Sequence, residues 1–321
     1  MTPLDGMATA CKSAAMSAGH DHHHHHAGDM AAGTGKAFAL AIILNAGFTI
    51  VELVYGLLSG SMALIADAGH NFSDVLALML AWGASILAAR PPSARYTYGF
   101  KSSSILAAIT NAALLWIALG AILVETIRRI SNPAPVEGET MMLVAAIGIA
   151  TNAFSAFLFA RGRKSDLNIR AAFLHLVADA AVSAGVVIAG LLVVMTGVAL
   201  IDPITSLIIT AVIGWSSWGL LRDSLRMGML AAPADIDVAD VQTYLARQPG
   251  VTAVHDLHIW PMSTTETALT AHLVVPGGLP DDTFLHGLAH DLQERFGINH
   301  PTIQIETTGG PECALESEAV V

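Results

Sequence analysis

Charge is what this 321-residue sequence has least of: only 13% of its residues are Asp, Glu, Lys or Arg, about half the share carried by a soluble domain. Cysteine is nearly absent as well. Cys11 and Cys313 lie near opposite ends with no CxxC or CxxH companion, which excludes a disulfide framework and a thiolate metal site. There is no basic patch to accompany the formal net charge of −11. Basic residues flank the apolar segments while acids crowd the C-terminal third, so a nucleic-acid partner is excluded. The first 36 residues are polar, small and His-rich, without the basic tip and apolar core of a secretory signal. No HExxH occurs anywhere.

What the chain has instead is hydrophobicity, at 54% of residues, with a mean hydropathy of +0.59. This is the composition of an integral membrane protein. Six apolar segments are long enough to cross a bilayer, near Ala37–Leu58, Met62–Ala89, Ser104–Arg128, Met141–Ala160, Ile169–Met195 and Pro203–Leu221. The connection from Leu58 to Met62 is so short that the first two helices form a tight hairpin. Lys12, Lys36, Arg90, Arg95, Lys101, Arg161, Arg163, Lys164, Arg170, Arg222 and Arg226 fall on one side of the membrane. Only Arg128 and Arg129, beside Glu125, fall on the other, so both termini are expected in the cytoplasm.

Residues 1–36 read as a disordered, His-rich cytoplasmic N-terminus. Its tract HDHHHHH contains His20, His22, His23, His24, His25 and His26. The interruption by Asp21 and the internal position point to a natural segment, not an expression tag, and such a tract binds transition metals weakly. Residues 37–221 form the six-helix transmembrane domain. Residues 232–309 have the composition of a small soluble domain. A helix over Asp237–Arg247, strands over Val254–Trp260 and Thr267–Val275, a helix over Asp281–Phe296 and a strand over Thr302–Glu306 give the order αββαβ. The fold class is therefore a membrane all-α bundle of six helices plus a small cytoplasmic α+β, ferredoxin or metallochaperone-like domain with one open sheet face. Residues 310–321 form an acidic tail.

Within the second segment, ALIADAGHNFSDVLA places His70 and Asp74 four residues apart, on one helical face. FLHLVADAAVS in the fifth repeats the spacing with His175 and Asp179. An ionisable residue at bilayer depth costs about 2.5–3.5 kcal/mol on insertion scales, so such residues face protein or water and mark function. The second and fifth helices run in opposite directions, which sets Asp74 and Asp179 at comparable depth. Two imidazoles and two carboxylates form a four-ligand set suited to tetrahedral zinc. The charge of two aspartates matches a divalent cation, and on release of the metal, protons replace it. The alternative is a polar network that only holds helices together. Asp67, Asn71, Asn45 and Glu52 are further polar residues in apolar helices. Asp67 and Asn71 read as support or lining for the metal set, and Glu52 as a packing partner.

The chain resembles the cation diffusion facilitator family of zinc transporters. The resemblance rests on SMALIADAGHNFSD in the second helix, NIRAAFLHLVADAAVS in the fifth, and HDLHIW followed by INHPTIQIE in the soluble domain, and it spans Lys36 to Thr307. It implies a homodimer that exports zinc by proton-coupled alternating access, with His70, Asp74, His175 and Asp179 as the transport site. It also implies Zn2+ sites in the soluble domain that support dimerisation, at His255, His272 and Glu306. Strand parity puts His272, Gln304 and Glu306 on the open face. His255 shares parity with Leu257 and Ile259, so either a bulge admits it or His258 takes its place. His286, His290 and His300 read as surface histidines. Two features depart from the family: Ser104 stands where many relatives carry glutamate, and the loop Arg90–Lys101 lacks accessory histidines, so no loop metal is expected.

Two nitrogens and two oxygens favour zinc, with cobalt and cadmium plausible, manganese less favoured, and magnesium or calcium disfavoured because they demand more oxygens. Copper binds at least as tightly by the affinity order, so geometry and supply must exclude it. The expected function is proton-coupled efflux of a divalent cation across the lipid bilayer, in a protein that is not an enzyme. Two alternatives stand beside it. A membrane-embedded metallohydrolase needs an open metal position and a general base. A membrane metal sensor signals through the soluble domain, but nothing resembling an output module is appended. The compact form, with little beyond the core, suggests a bacterial inner membrane.

Overall fold

The computed structural model describes residues 32–160, 167–278 and 281–307. The tract His20–His26, both cysteines, the cations at 12, 161, 163 and 164, and the acidic tail lie outside the described residues. Six long helices come first: α1 (Ala32–Ser59), α2 (Met62–Ala88), α3 (Ser103–Ser131), α4 (Gly138–Phe159), α5 (Leu167–Thr196) and α6 (Ile201–Gly228). Each is long and apolar enough to cross a membrane. The outer surface shows the inversion that lipid demands, with Ile43, Met79, Trp82, Ile117, Phe157 and Trp215 exposed.

The bundle is held from inside by Phe48, Leu64, Leu115, Leu119, Met141, Val144, Val186 and Ile213. Helix α4 packs along α5, α1 against α2 and α4, α2 against α3, and α3 against α6. Gly148 permits the approach of α1 to α4, since a Cβ there would meet the Phe48 ring at 2.6 Å.

The α1–α2 hairpin turns on Gly60, whose φ of +70° is in the left-handed region open to glycine. Ser61 caps α2 by accepting the Leu64 amide at 3.2 Å. Asp202 of α6 completes that cap from another helix. It accepts the Ser61 hydroxyl at 2.6 Å and the amides of Met62 and Ala63 at 2.7 and 3.1 Å. A carboxylate at a helix N-terminus satisfies orphan amides and complements the helix dipole. The two cations on this side of the bundle, Arg128 and Arg129, both pair with Glu125, and Arg129 also donates to the Gly60 carbonyl.

The C-terminal domain comprises α7 (Val238–Ala246), β1 (Ala253–Pro261), β2 (Thr267–Val274), α8 (Asp282–Phe296) and β3 (Ile298–Glu306). Asp237 and Asp281 cap the two helices, and Gly297 ends α8 at φ +69°. The sheet order is β1-β2-β3, antiparallel then parallel, with α8 as the crossover. Val241, Leu245, Ile259, Leu269, Ala271, Leu273, Leu288, Leu292 and Ile298 form its core. The Tyr244 hydroxyl, pushed up to about 12 by burial and then by its bond to Asp291, stays a proton donor and ties α7 to α8.

Three boundaries differ from the sequence expectation by four residues or more. Helix α1 begins at Ala32, not Ala37, so the last five residues of the segment read as disordered are helical, because a helix continues past the end of its apolar run. Helix α6 continues to Gly228 instead of ending near Leu221, because Arg222, Asp223 and Arg226 end the apolar run without ending the helix. Strand β3 begins at Ile298, not Thr302; Pro301 reads as a break, but β3 is an edge strand, where proline is tolerated. The start of α3 and the loop before it meet the C-terminal domain directly. Lys101 pairs with Glu266, Ser102 donates to the Met262 carbonyl at 3.2 Å, and Ser104 accepts the Thr264 amide at 3.1 Å. Tyr98 meets His300 edge-on, with ring centroids 5.6 Å apart.

Asp202→Ala removes an acceptor shared by three buried donors. Loss of a capping side chain costs about 0.5–2 kcal/mol. The thermal transition of the detergent-solubilised variant is therefore expected to fall clearly below that of wild type, as read by tryptophan fluorescence.

Candidate metal centre

Four ionisable side chains converge between α2 and α5. His70 Nε2 lies 3.7 Å from Asp74 Oδ2 and 3.6 Å from Asp179 Oδ1. His175 Nε2 lies 3.1 Å from Asp74 Oδ2 and 3.6 Å from Asp179 Oδ2. Each imidazole thus faces both carboxylates, and each carboxylate faces both imidazoles. One potential ligand atom from each of His70, Asp74 and His175 lies within 4.8 Å of the others. Asp179 bridges the imidazoles with its two separate oxygens.

Access to this cluster is one-sided. A cavity of about 450 Å³ reaches Asp74, His175 and Asp179, and its lining includes Ala41, Asn45, Leu78, Ala81, Phe159 and Ala172. These positions belong to the ends of α1, α2, α4 and α5 that lie on the C-terminal-domain side of the bundle. His175 is 46% exposed and Asp179 only 7%. Beyond the cluster, in the other direction, Met62, Ala63, Leu64 and Ala66 are packed into the core. The cavity thus reaches the cluster from the C-terminal-domain end, and core residues pack against its far side.

A buried polar layer lies just behind it. Asn71 donates to Glu52 at 3.0 Å, and Ser183 donates to Asp67 at 3.1 Å. Glu52, Asp67 and Ser183 are fully buried, and the two carboxyl groups are neighbours. Glu52 is therefore part of this layer together with Asn71, and Ser183 is a member that the sequence did not single out. Its place one turn beyond Asp179 on α5 is the signal that could have found it. Asn45 does not join this layer; it bonds Ser155 and the Ala41 carbonyl.

The C-terminal domain carries a second cluster. His255, His272 and Glu306 offer ligand atoms within 4.8 Å of one another. His272 Nδ1 is 3.0 Å and His255 Nε2 3.4 Å from Glu306 Oε1, and Gln304 donates to the same oxygen at 3.2 Å. A bulge brings His255, not His258, beside Glu306. His255 pairs with His272 and His258 with Thr270, so the register of β1 against β2 shifts between them. Asp256, within the bulge, has φ +50°. Both histidines consequently share the open face, but only His255 reaches Glu306. His258 Nε2 lies 2.9 Å from Asp256 instead. His290 is exposed beside Glu294, His286 is exposed, and His300 belongs to the contact with Tyr98.

Comparison with known proteins fits this geometry. Residues 38–227 match the model of the cation efflux transmembrane domain, and residues 233–308 that of the cation efflux protein cytoplasmic domain. The chain belongs to the cation diffusion facilitator family. It is 38% identical over 276 residues to the zinc transporter ZitB of Escherichia coli strain K12, covering 85% of this chain and 88% of that one. It is 35% identical over 277 residues to the cadmium, cobalt and zinc/H(+)-K(+) antiporter of Bacillus subtilis strain 168, covering 85% and 89%. A solved structure, the metal-bound C-terminal domain of the CzcD transporter from Cuprividus metallidurans, is 36% identical over 22% of this chain and 99% of that chain, at a TM-score of 0.21. The family is one of cation efflux transporters, so the protein is an integral membrane transporter with six spans and the metallohydrolase alternative is set aside.

Asn71→Leu leaves the buried Glu52 carboxyl without its amide donor, a loss expected to cost about 1–3 kcal/mol. Adding Glu52→Met removes the stranded acceptor and should recover much of that loss. Thermal unfolding of the single and double variants in detergent checks both outcomes.

Proposed function

We propose that this protein exports a divalent metal ion, zinc foremost, in exchange for protons, and that His70, Asp74, His175 and Asp179 together hold the ion in transit. The observation that carries this reading is the closed ring of four contacts, at 3.1–3.7 Å, between two imidazoles and two carboxylates at membrane depth. Two neutral imidazoles and two carboxylates match the charge of a divalent cation and give a set of donors that zinc accepts in a tetrahedron. When the ion leaves, the carboxylates face low dielectric uncompensated, and protons taken by the ring restore neutrality. The name of the Bacillus subtilis relative, a cadmium, cobalt and zinc/H(+)-K(+) antiporter, supports the coupling. The name of the Escherichia coli relative supports zinc.

The one-sided cavity corresponds to the state that loads metal. With both termini and the C-terminal domain in the cytoplasm, as the cation bias favours, the opening faces the cytoplasm and release requires the far side to part. The C-terminal domain holds a resident zinc at His255, His272 and Glu306. The donor chemistry fits, with two nitrogens and a carboxylate, and the buried His255 Nε2 has no hydrogen-bond partner among the described residues. Such an ion supplies structural cross-linking, not transport, and the domain pairs two copies of the chain into a homodimer. The cellular setting is a bacterial inner membrane.

Zinc movement into proteoliposomes tests the function. An imposed proton gradient should drive zinc flux by wild type, and Asp179→Ala, which deprives both imidazoles of a partner, should reduce it to the level of empty vesicles. Gradient-independent flux, or flux retained by Asp179→Ala, contradicts the proposal.

A further inference from the structure

The bulge in β1 places one more carboxylate beside the cytoplasmic-domain cluster, and the metal reading leaves it unused. The Asp256 oxygens face two different rings. Oδ1 is 2.9 Å from His258 Nε2, and Oδ2 is 3.4 Å from His272 Nε2. The opposite nitrogen of His272, Nδ1, faces Glu306 Oε1 at 3.0 Å, the oxygen that His255 Nε2 also approaches at 3.4 Å. The His272 ring therefore stands between two carboxylates, with one nitrogen toward each.

A neutral imidazole has one N–H and one lone pair, and its outer partner decides which nitrogen carries which. Each carboxylate invites a proton onto the nitrogen it faces, but an ion held by Glu306 and His255 would exclude the proton from Nδ1, and Asp256 then accepts it at Nε2. That leaves the Nδ1 lone pair directed at Glu306 and His255. We infer that Asp256 is a positioning residue: it fixes His272 as an Nδ1 ligand and holds His258 away from the metal. The inference rests on the reading of His255, His272 and Glu306 as a metal site. The burial of His272 and the cross-strand pairing of His255 with His272 give the ring little freedom to reorient. The backbone at Asp256 has a further role. At φ +50° it lies in the left-handed region, which aspartate, asparagine and glycine adopt more readily than other residues. The carboxylate is thus delivered between the two rings by the same bulge that turns both histidines to the open face.

This backbone requirement supplies its own controls. Asp256→Gly keeps the left-handed conformation and removes the carboxylate, whereas Asp256→Asn keeps the conformation and an acceptor oxygen. Cobalt(II) is the probe, added to the full-length chain carrying Asp74→Ala and Asp179→Ala so that the membrane cluster is silenced. The visible absorption lost on adding His255→Ala isolates the cytoplasmic-domain ion from any bound elsewhere.

In that difference spectrum, Asp256→Gly should weaken cobalt binding about ten- to a hundredfold, the usual effect of losing a partner to a ligating histidine. Its band shape should also change. Asp256→Asn should restore affinity to within a few-fold and superimpose on the parent spectrum, and His258→Ala should bind as the parent does. Parent-like affinity and spectrum in Asp256→Gly overturn the positioning role. Loss of the signal in His258→Ala overturns it in favour of a metal held by Asp256 and His258 themselves. No difference between the parent and His255→Ala overturns the underlying metal reading, and the positioning role with it.

Discussion

Everything in the membrane half depends on one constraint: ionisable side chains in hydrocarbon must be surrounded by partners. A lone charged side chain at the bilayer centre costs about 2.5–3.5 kcal/mol on insertion scales. The chain places four such groups on α2 and α5 and resolves the cost by letting each imidazole see two carboxylates. On the proposed function, a cation and protons would satisfy the same four groups in turn. The layer behind it, with Glu52, Asp67, Asn71 and Ser183, extends the same polar interior. It separates the ring from the sealed end of the bundle.

That end is fastened by polar contacts between helices instead of by lipid-facing surface. Asp202 closes the first turn of α2 from α6, and Thr126 bonds Ser206 across α3 and α6 at 3.0 Å. In lipid the hydrophobic effect does not press helices together, so packing and interhelical hydrogen bonds must do so. The opposite end is joined to the C-terminal domain by Lys101, Ser102 and Ser104. Ser104, where the family resemblance leads one to expect an acid, is occupied in that junction. The junction thus reaches the start of α3, which packs against α2, the helix that carries His70 and Asp74.

How much of this was legible beforehand depends on the range of the signal. The spans were legible because hydropathy is a sum over many residues. The convergence of four ionisable side chains was legible because an apolar helix carries a His-x-x-x-Asp pair only at a cost in insertion energy, and this chain carries two. The order αββαβ followed from periodicity and caps. The choice between His255 and His258 was not legible, because a register shift within β1 reverses strand parity and its cause is the backbone at Asp256. Asp202 escaped notice for a related reason. It bonds residues far away in sequence, and no local pattern distinguishes a remote cap from an ordinary loop aspartate. The start of β3 was not legible because edge and central strands treat a proline such as Pro301 differently, and sheet order is a tertiary property.

The central claim is that metal and protons compete for the same four side chains, and proton release on binding tests it most directly. Zinc would be titrated calorimetrically into the solubilised protein near neutral pH, in buffers that differ only in ionisation enthalpy. The account predicts that the heat of binding varies with the buffer, revealing protons expelled by zinc, and that this component disappears in Asp74→Ala. Tight zinc binding that depends on Asp74 yet gives identical heats in every buffer would contradict it.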